Sequence, residues 1–357
     1  MDDFNSSLFN YSSDERFENR SEEFRQRRDI LFNQVLQSLN QPSQIPRRRP
    51  RRKRRYIERN REDGHERLYN DYFAANPVYT NEMFRRRFRM RRHLFLRVVN
   101  GVQAASDYFV DGPDATGRGS FTSLQKCTMA IRMLAYGDSA DRIDEYLRVG
   151  ESTARECFEY FTNAVISHFR NEYLRIATVE DTQRLLQIGA SRGFPGMLGS
   201  IDCMHWKWKN CPNAWKGQFQ GQFQGRNSSP AVILEAVASQ DLWIWHSYFG
   251  TPGSANDLNV LNRSPVFDAL LNGYVPNVNY MVNGNQYDCG YYLTDGIYPK
   301  WATFIQSIRH PQTPKDRLFA TKQESVRKDV ERAFGVLQAR FAVIRNPVAL
   351  LEQRISS

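Results

Sequence analysis

The sequence predicts an α/β fold: a mixed-sheet domain, preceded by an all-helical segment and a basic, disordered N-terminal arm. Three observations predict it. Apolar spacing is helical from about residue 61 to 185, then gives way near 190 to short apolar runs of strand length. Acidic residues interrupt or end those runs: Asp202 within 197–204, Asp295 at the close of 291–295, and Glu331 inside the helical stretch 330–337. Positions 47–55 hold eight cations of a chain whose formal net charge is +10, which leaves about +2 for the rest.

With 357 residues, the chain has room for two domains and a substantial core. Residues 1–60 are rich in Ser, Asn, Gln, Arg and Glu and form the arm, with a helix expected over 14–39. Pro46 and Pro50 keep the basic run from being helical. Arg47, Arg48, Arg49, Arg51, Arg52, Lys53, Arg54 and Arg55 read as a nuclear-import signal or a DNA-contacting arm, with a plain solvated tract as the alternative. The expected location is the nucleus.

Residues 61–188 form the helical domain. Asn81 is expected to cap a helix with Met83, Phe84, Phe88, Phe95 and Val99 on one face. Its other face carries Arg85, Arg86, Arg87, Arg89, Arg91 and Arg92. Cations backed by aromatics suit a phosphate backbone, although an ordinary solvated helix face has the same pattern. Thr122 and Gln125 form a capping-box pattern, and Gly137 ends that helix. A short helix over 140–147, a turn at 149–152 and a helix over 153–169 complete a helix-turn-helix-like order. Thr153, Arg155 and Glu156 then stand at the start of the recognition helix, while a plain helical bundle uses the same turns.

Residues 189–357 carry the sheet. Strands are expected at 197–203, 231–239, 242–249 and 291–294, with Gln240-Asp241 as a tight turn. Helices are expected over 255–272 and 322–341. Strand, hairpin, helix, strand, helix is the order of an RNase H-like domain. In that order the first strand is central and the strand at 291–294 lies beside it, bringing Asp202 and Asp295 to one end of the sheet. The last helix adds Glu331. Asp257 is either a helix N-cap or a member of the set, and either it or Asp295 serves as the second aspartate, the topology favouring Asp295.

Strand-interior carboxylates are costly unless paired or bound to metal. An all-oxygen set suits Mg²⁺ or Mn²⁺, and a pair of such ions serves phosphoryl transfer. Arg327, four residues before Glu331, either orients that glutamate, holds a phosphate, or makes a surface pair with Glu324 or Glu331. Five widely spaced cysteines without a C-x-x-C argue against a disulfide framework and for a reducing compartment. Cys203, His205 and Cys211 lack a fourth ligand for zinc. No apolar run approaches the roughly 18 residues of a membrane span, so a soluble intracellular protein without a membrane partner is expected.

Leu198-Gly-Ser-Ile-Asp-Cys-Met-His-Trp206, Trp215-Lys-Gly-Gln-Phe219, Ser229-Pro-Ala-Val-Ile-Leu-Glu-Ala-Val-Ala-Ser239, Asp241-Leu-Trp-Ile-Trp-His246 and Val330-Glu-Arg-Ala-Phe-Gly-Val-Leu-Gln-Ala-Arg-Phe341 together resemble the PIF/Harbinger family of DDE transposases. The resemblance implies an RNase H-like nuclease that cuts and rejoins double-stranded DNA at transposon ends with Mg²⁺ or Mn²⁺. It also implies nuclear action beside a Myb-like DNA-binding partner, and a homo-oligomer is a candidate assembly. The family's acidic positions fall on Asp202, Asp257, Asp295 and Glu331, and Arg327 matches an arginine that precedes the catalytic glutamate. Gln338 stands where some relatives carry lysine. A repeated Gln-Phe-Gln-Gly within 217–225 lengthens one loop, and the end at Ser357 implies a C-terminally shortened product. The competing expectation is a domesticated, non-catalytic nuclear protein that binds DNA or chromatin partners. A repair or RNA nuclease is a weaker third.

Overall fold

The computed structural model describes residues 57, 59–113, 117, 119–137, 139–208, 211–221, 229–267 and 278–345. The basic run at 47–55, the helix expected over 14–39, most of the repeated loop and the residues after 345 lie outside the described residues. The described residues from Arg59 onward belong to one compact unit.

Its first helices are α1 (Arg61–Tyr72), α2 (Asn81–Phe88) and α3 (Arg92–Ala105). The single helix expected from Asn81 onward is therefore two. Thr80, not Asn81, is the cap, its side chain accepting from the Met83 N–H. Arg89 takes a left-handed conformation, φ 61°, which an L side chain seldom adopts and which ends α2. The apolar face holds: Phe84, Phe88, Phe95 and Val99 are buried, while Met83 is exposed. Phe84 and Phe88 stack at 4.1 Å between centroids, and Tyr72 meets both rings edge-on.

Helices α4 (Ser123–Tyr136), α5 (Asp141–Leu147) and α6 (Glu151–Tyr173) follow the expected order, although α6 begins before Thr153. Thr122 and Gln125 make both bonds of the capping box, and Gly137 closes α4 at φ 63°. Helix α7 (Val179–Ser191), capped by Thr178 and Asp181, packs on the first strand, so the layer supporting the sheet starts before residue 189.

The sheet comprises β1 (Met197–Lys207), β2 (Ala231–Ala238), β3 (Ile244–Pro252), β6 (Tyr291–Thr294) and β7 (Phe304–Gln306), in the order β3-β2-β1-β6-β7. Strands β1 to β3 are antiparallel, and β6 and β7 run parallel to β1. A small hairpin, β4 (Tyr280–Val282) with β5 (Asn285–Tyr287), turns at Asn283 and Gly284, both with positive φ. The sequence did not point to β4, β5 or β7, each three residues long and too short for a period to register.

Helix α8 (Asn213–Phe219) occupies part of the β1–β2 connection. The helix expected over 255–272 is only α9 (Asp257–Leu261), followed by a 3₁₀ turn at Pro265–Phe267. Its cap is Asn256, which accepts from the Asn259 N–H, so Asp257 is not the N-cap. Helix α10 (Pro314–Arg340) starts before the expected Lys322. A Thr313–Asp316 capping box and Pro314 at the first position supply that start. Helix α11 (Ala342–Arg345) follows.

The result is mixed α/β: a five-stranded mixed sheet preceded by helices. Val330, Ala333 and Phe334 of α10 bury Met204, Leu234, Ala236 and Ala238 on one face. Ile201 and Val237 point to the other face, against Leu261, Tyr298 and Phe304. Every residue of β2 is buried, as expected of a strand covered on both sides.

Candidate functional site

The site begins with an irregularity in β1. Met197 pairs with Tyr291 and Gly199 with Tyr292, so Leu198 is an extra residue bulged out of the β1–β6 ladder. Beyond it Ser200 pairs with Leu293. Asp202 lies two residues beyond that pair on β1 and Asp295 two residues beyond it past β6, and the Asp295 charge reaches the Asp202 carboxyl. Asp295 follows the last residue of β6, and its Oδ1 accepts from the Ile297 N–H at 3.0 Å, a local turn that fixes the carboxylate.

Helix α10 brings three polar residues to this end of the sheet at four-residue intervals, one above another along the same flank. Gln323 is fully buried, and its Nε2 donates to the carbonyl oxygens of Thr294 (2.9 Å) and Ile305 (3.0 Å). It ties the ends of β6 and β7 to the helix. One turn on, Arg327 donates from Nη1 to Asp202 Oδ2 at 2.9 Å and from Nη2 to Glu331 Oε1 at 2.8 Å. Its expected alternative partner, Glu324, instead accepts from the Ser307 hydroxyl. Arg327 and Asp202 are mostly buried, whereas Glu331 is open to solvent.

Burial pushes the Asp202 carboxyl up to about 6. A hydrogen bond from the Cys203 N–H (2.8 Å) and the Arg327 charge oppose that rise, and the charges of Asp295 and Asp257 add to it. Asp257 also raises the thiol of Cys203 and the hydroxyl of Tyr298, after burial as the main cause. Thus Asp257, at the start of α9, acts electrostatically on the same strand from the other side of the sheet. Among the described residues no three of His, Cys, Asp or Glu are gathered closely enough to hold a metal ion. The cation between Asp202 and Glu331 is the Arg327 guanidinium. An all-carboxylate donor set nonetheless has the chemistry that Mg²⁺ or Mn²⁺ takes.

The cations read as a DNA face divide into two groups. Arg85, Arg86 and Arg91 are exposed, and Arg85 and Arg91, with Arg92, His93, Asn81 and Glu82, line a shallow pocket where α2 meets α3. Arg87, Arg89 and Arg92 have structural contacts instead. Arg87 lies over the Tyr79 ring at 3.9 Å, Arg89 over Tyr136 at 5.6 Å and Arg92 over Phe84 at 5.7 Å. Arg155, near the start of α6, is paired with Glu151 one turn earlier, and Glu156 and Glu159 are exposed close by.

Two residues of this region escaped sequence reasoning. Gln323 carried a faint signal, an amide one turn before Arg327. Glu235 carried the same signal as Asp202, an acid inside an apolar strand. It pairs with Cys203 across β1 and β2, is completely buried, and neither of its oxygens accepts a hydrogen bond among the described residues. His246 Nε2 lies 3.5 Å from its Oε2. Gln338 turns inward, its amide against the Met204 sulfur, rather than outward to a phosphate.

Residues 171–356, just over half the chain, match the family model described as plant transposon protein, and the match spans all four acidic residues. Residues 64–103 match a domain of unknown function. No curated protein and no solved structure matches the chain.

Proposed function

The chain belongs to the plant transposon protein family, and from that premise we propose that it is a PIF/Harbinger-type DDE transposase with an RNase H-like core. The reaction is metal-dependent cleavage and transfer of DNA strands at transposon ends. The observation that carries the reading is the electrostatic coupling of Asp202 to Asp295 and its link to Glu331 through Arg327. The sheet order β3-β2-β1-β6-β7, with one long helix across β1, supports the same reading.

Asp202, Asp295 and Glu331 would hold Mg²⁺ or Mn²⁺, with Asp257 assisting. When bound, the ions supply a polarised phosphoryl group and charge neutralisation at the attacking and leaving oxygens. The chain's own residues set the stage. The Cys203 and Ile297 N–H groups orient the two aspartates, Gln323 fixes the end of β6 against α10, and Arg327 presents a planar fork suited to phosphate oxygens. Water attacks the phosphodiester at the element end, and the 3′-oxygen leaves with a proton. The resulting 3′-hydroxyl then displaces the 3′-oxygen of a target phosphodiester. Double-stranded DNA is gripped at the corner of α2 and α3 through Arg85, Arg86 and Arg91, helped by the 47–55 run. Charge favours that corner over the start of α6, where acids surround Arg155. The same run directs the protein to the nucleus, where a Myb-like protein and a second copy of the chain are the partners.

A second reading is a transposase-derived nuclear protein that binds DNA or chromatin partners without cutting. The guanidinium already neutralising Asp202 and Glu331 favours it. One experiment separates the two. The purified protein is incubated with labelled element-end DNA and Mg²⁺ or Mn²⁺. The transposase reading expects nicking, and a loss of about 100-fold or more in Asp202→Asn and Glu331→Gln, the scale of removing a group that stabilises transition-state charge. Equal activity in both variants would remove these residues from the chemistry.

A further inference from the structure

We infer that Arg327 is a positioning residue that occupies the space between Asp202 and Glu331 in the metal-free protein and must release Asp202 before a divalent ion can bind there. The inference rests on the metal reading above and goes beyond it.

Arg327 uses two different nitrogens for two different acids, Nη1 to Asp202 at 2.9 Å and Nη2 to Glu331 at 2.8 Å, so one rigid fork spans both. The far oxygen of Asp202 is already taken by the Cys203 N–H. A divalent ion on Asp202 would therefore share the Oδ2 side with the guanidinium, and like charges at that range repel. Glu331 sits on the same helix one turn away and is open to solvent. Arg327 can thus give up Asp202 while keeping Glu331, without movement of the backbone. Gln323, bonded one turn earlier to Thr294 and Ile305, holds the helix in place through such a swing.

The paired state has a purpose that burial explains. Asp202 is mostly enclosed, and a buried carboxylate without a partner is strongly destabilising. Arg327 supplies the missing charge until metal does. Once released, its fork stands beside the site for a DNA phosphate.

The test measures Mn²⁺ affinity on the full chain from the free-ion paramagnetic resonance signal, in wild type, Arg327→Gln, Arg327→Lys and Asp202→Asn, together with the metal-free melting temperature of each. If the paired state holds about nine-tenths of wild-type molecules, removing it tightens Mn²⁺ binding about tenfold. Arg327→Gln should therefore bind more tightly than wild type, melt lower without metal, and recover more of its stability on adding Mn²⁺. Arg327→Lys, which cannot bridge both acids, should fall between. Equal or weaker binding in Arg327→Gln, with Asp202→Asn reducing wild-type binding, would overturn this inference and leave the metal reading standing. Wild-type binding that Asp202→Asn leaves unchanged, or no Mn²⁺ binding in any variant, would overturn both.

Discussion

Asp202 shows how far a single residue can be read before its surroundings are known. Its type and place were legible, because an acid inside an apolar strand demands a reason. Its energetics were not. Burial outweighs both the Arg327 pair and the Cys203 N–H, so the carboxyl rises to about 6. A carboxyl raised in this way holds its proton more tightly folded than unfolded. Its contribution to stability is full below about pH 4, the unfolded value, and is lost as pH rises through about 6. A rise of that size corresponds to about 3 kcal/mol. Metal-free protein should therefore lose part of its stability between pH 4 and 6, and Asp202→Asn, which has no proton to lose, should show a flatter melting profile across that window. Parallel profiles would place the pH dependence elsewhere. Glu235 teaches the complementary lesson. The rule that picked out Asp202 applied to it equally, but the acidic positions that the resemblance carries over do not include it, although it lies within the 229–239 block.

At the level of elements, a one-residue bulge shifts the alignment of β1, which carries Asp202, against β6, which leads into Asp295. Leu198 is the extra residue, and Gly199 beside it lies so close to β2 that an added Cβ would stand 2.7 Å from the Ala238 carbonyl oxygen. Gly199→Ala must push backbone aside, and overpacking of this kind costs about 1–3 kcal/mol. The expected result is a lower denaturation midpoint with faster amide exchange along β1 and β6. Gly335 is the control, since a Cβ there meets nothing within 4 Å on the exposed side of α10. Gly335→Ala should stabilise by about 0.5–1 kcal/mol through helix propensity. A Gly199→Ala protein as stable as wild type would show that β1 and β2 have room to separate at this point. The long elements were legible from capping boxes and periodicity, as with α4 and α10. Short ones were not, because β7 and the β4–β5 hairpin offer three residues each and draw their stability from neighbours.

Across the whole molecule, folded structure claims some of the arginines that the proposed DNA grip would use. Arg87, Arg89 and Arg92 went to aromatic rings, leaving Arg85, Arg86 and Arg91 facing solvent. Replacing these three with Ala should weaken DNA binding uniformly across sequences. The slope of log affinity against log salt should shrink by about one for each phosphate no longer neutralised. Arg155→Ala should leave that slope unchanged, because its charge is already matched by Glu151. The opposite ranking would move the grip to the start of α6.

By itself the sequence determined the order of helices followed by a sheet, and the aromatic core behind α2 and α3. Those follow from local patterns, where periodicity and caps each leave a mark within a few residues. Tertiary structure alone decided that Asn256 caps α9 in place of Asp257, that Asp295 lies within electrostatic reach of Asp202, and that Arg327 joins Asp202 to Glu331. Residues 93 and 125 positions apart come together only through strand pairing and helix packing, and neither is written in any one stretch of chain.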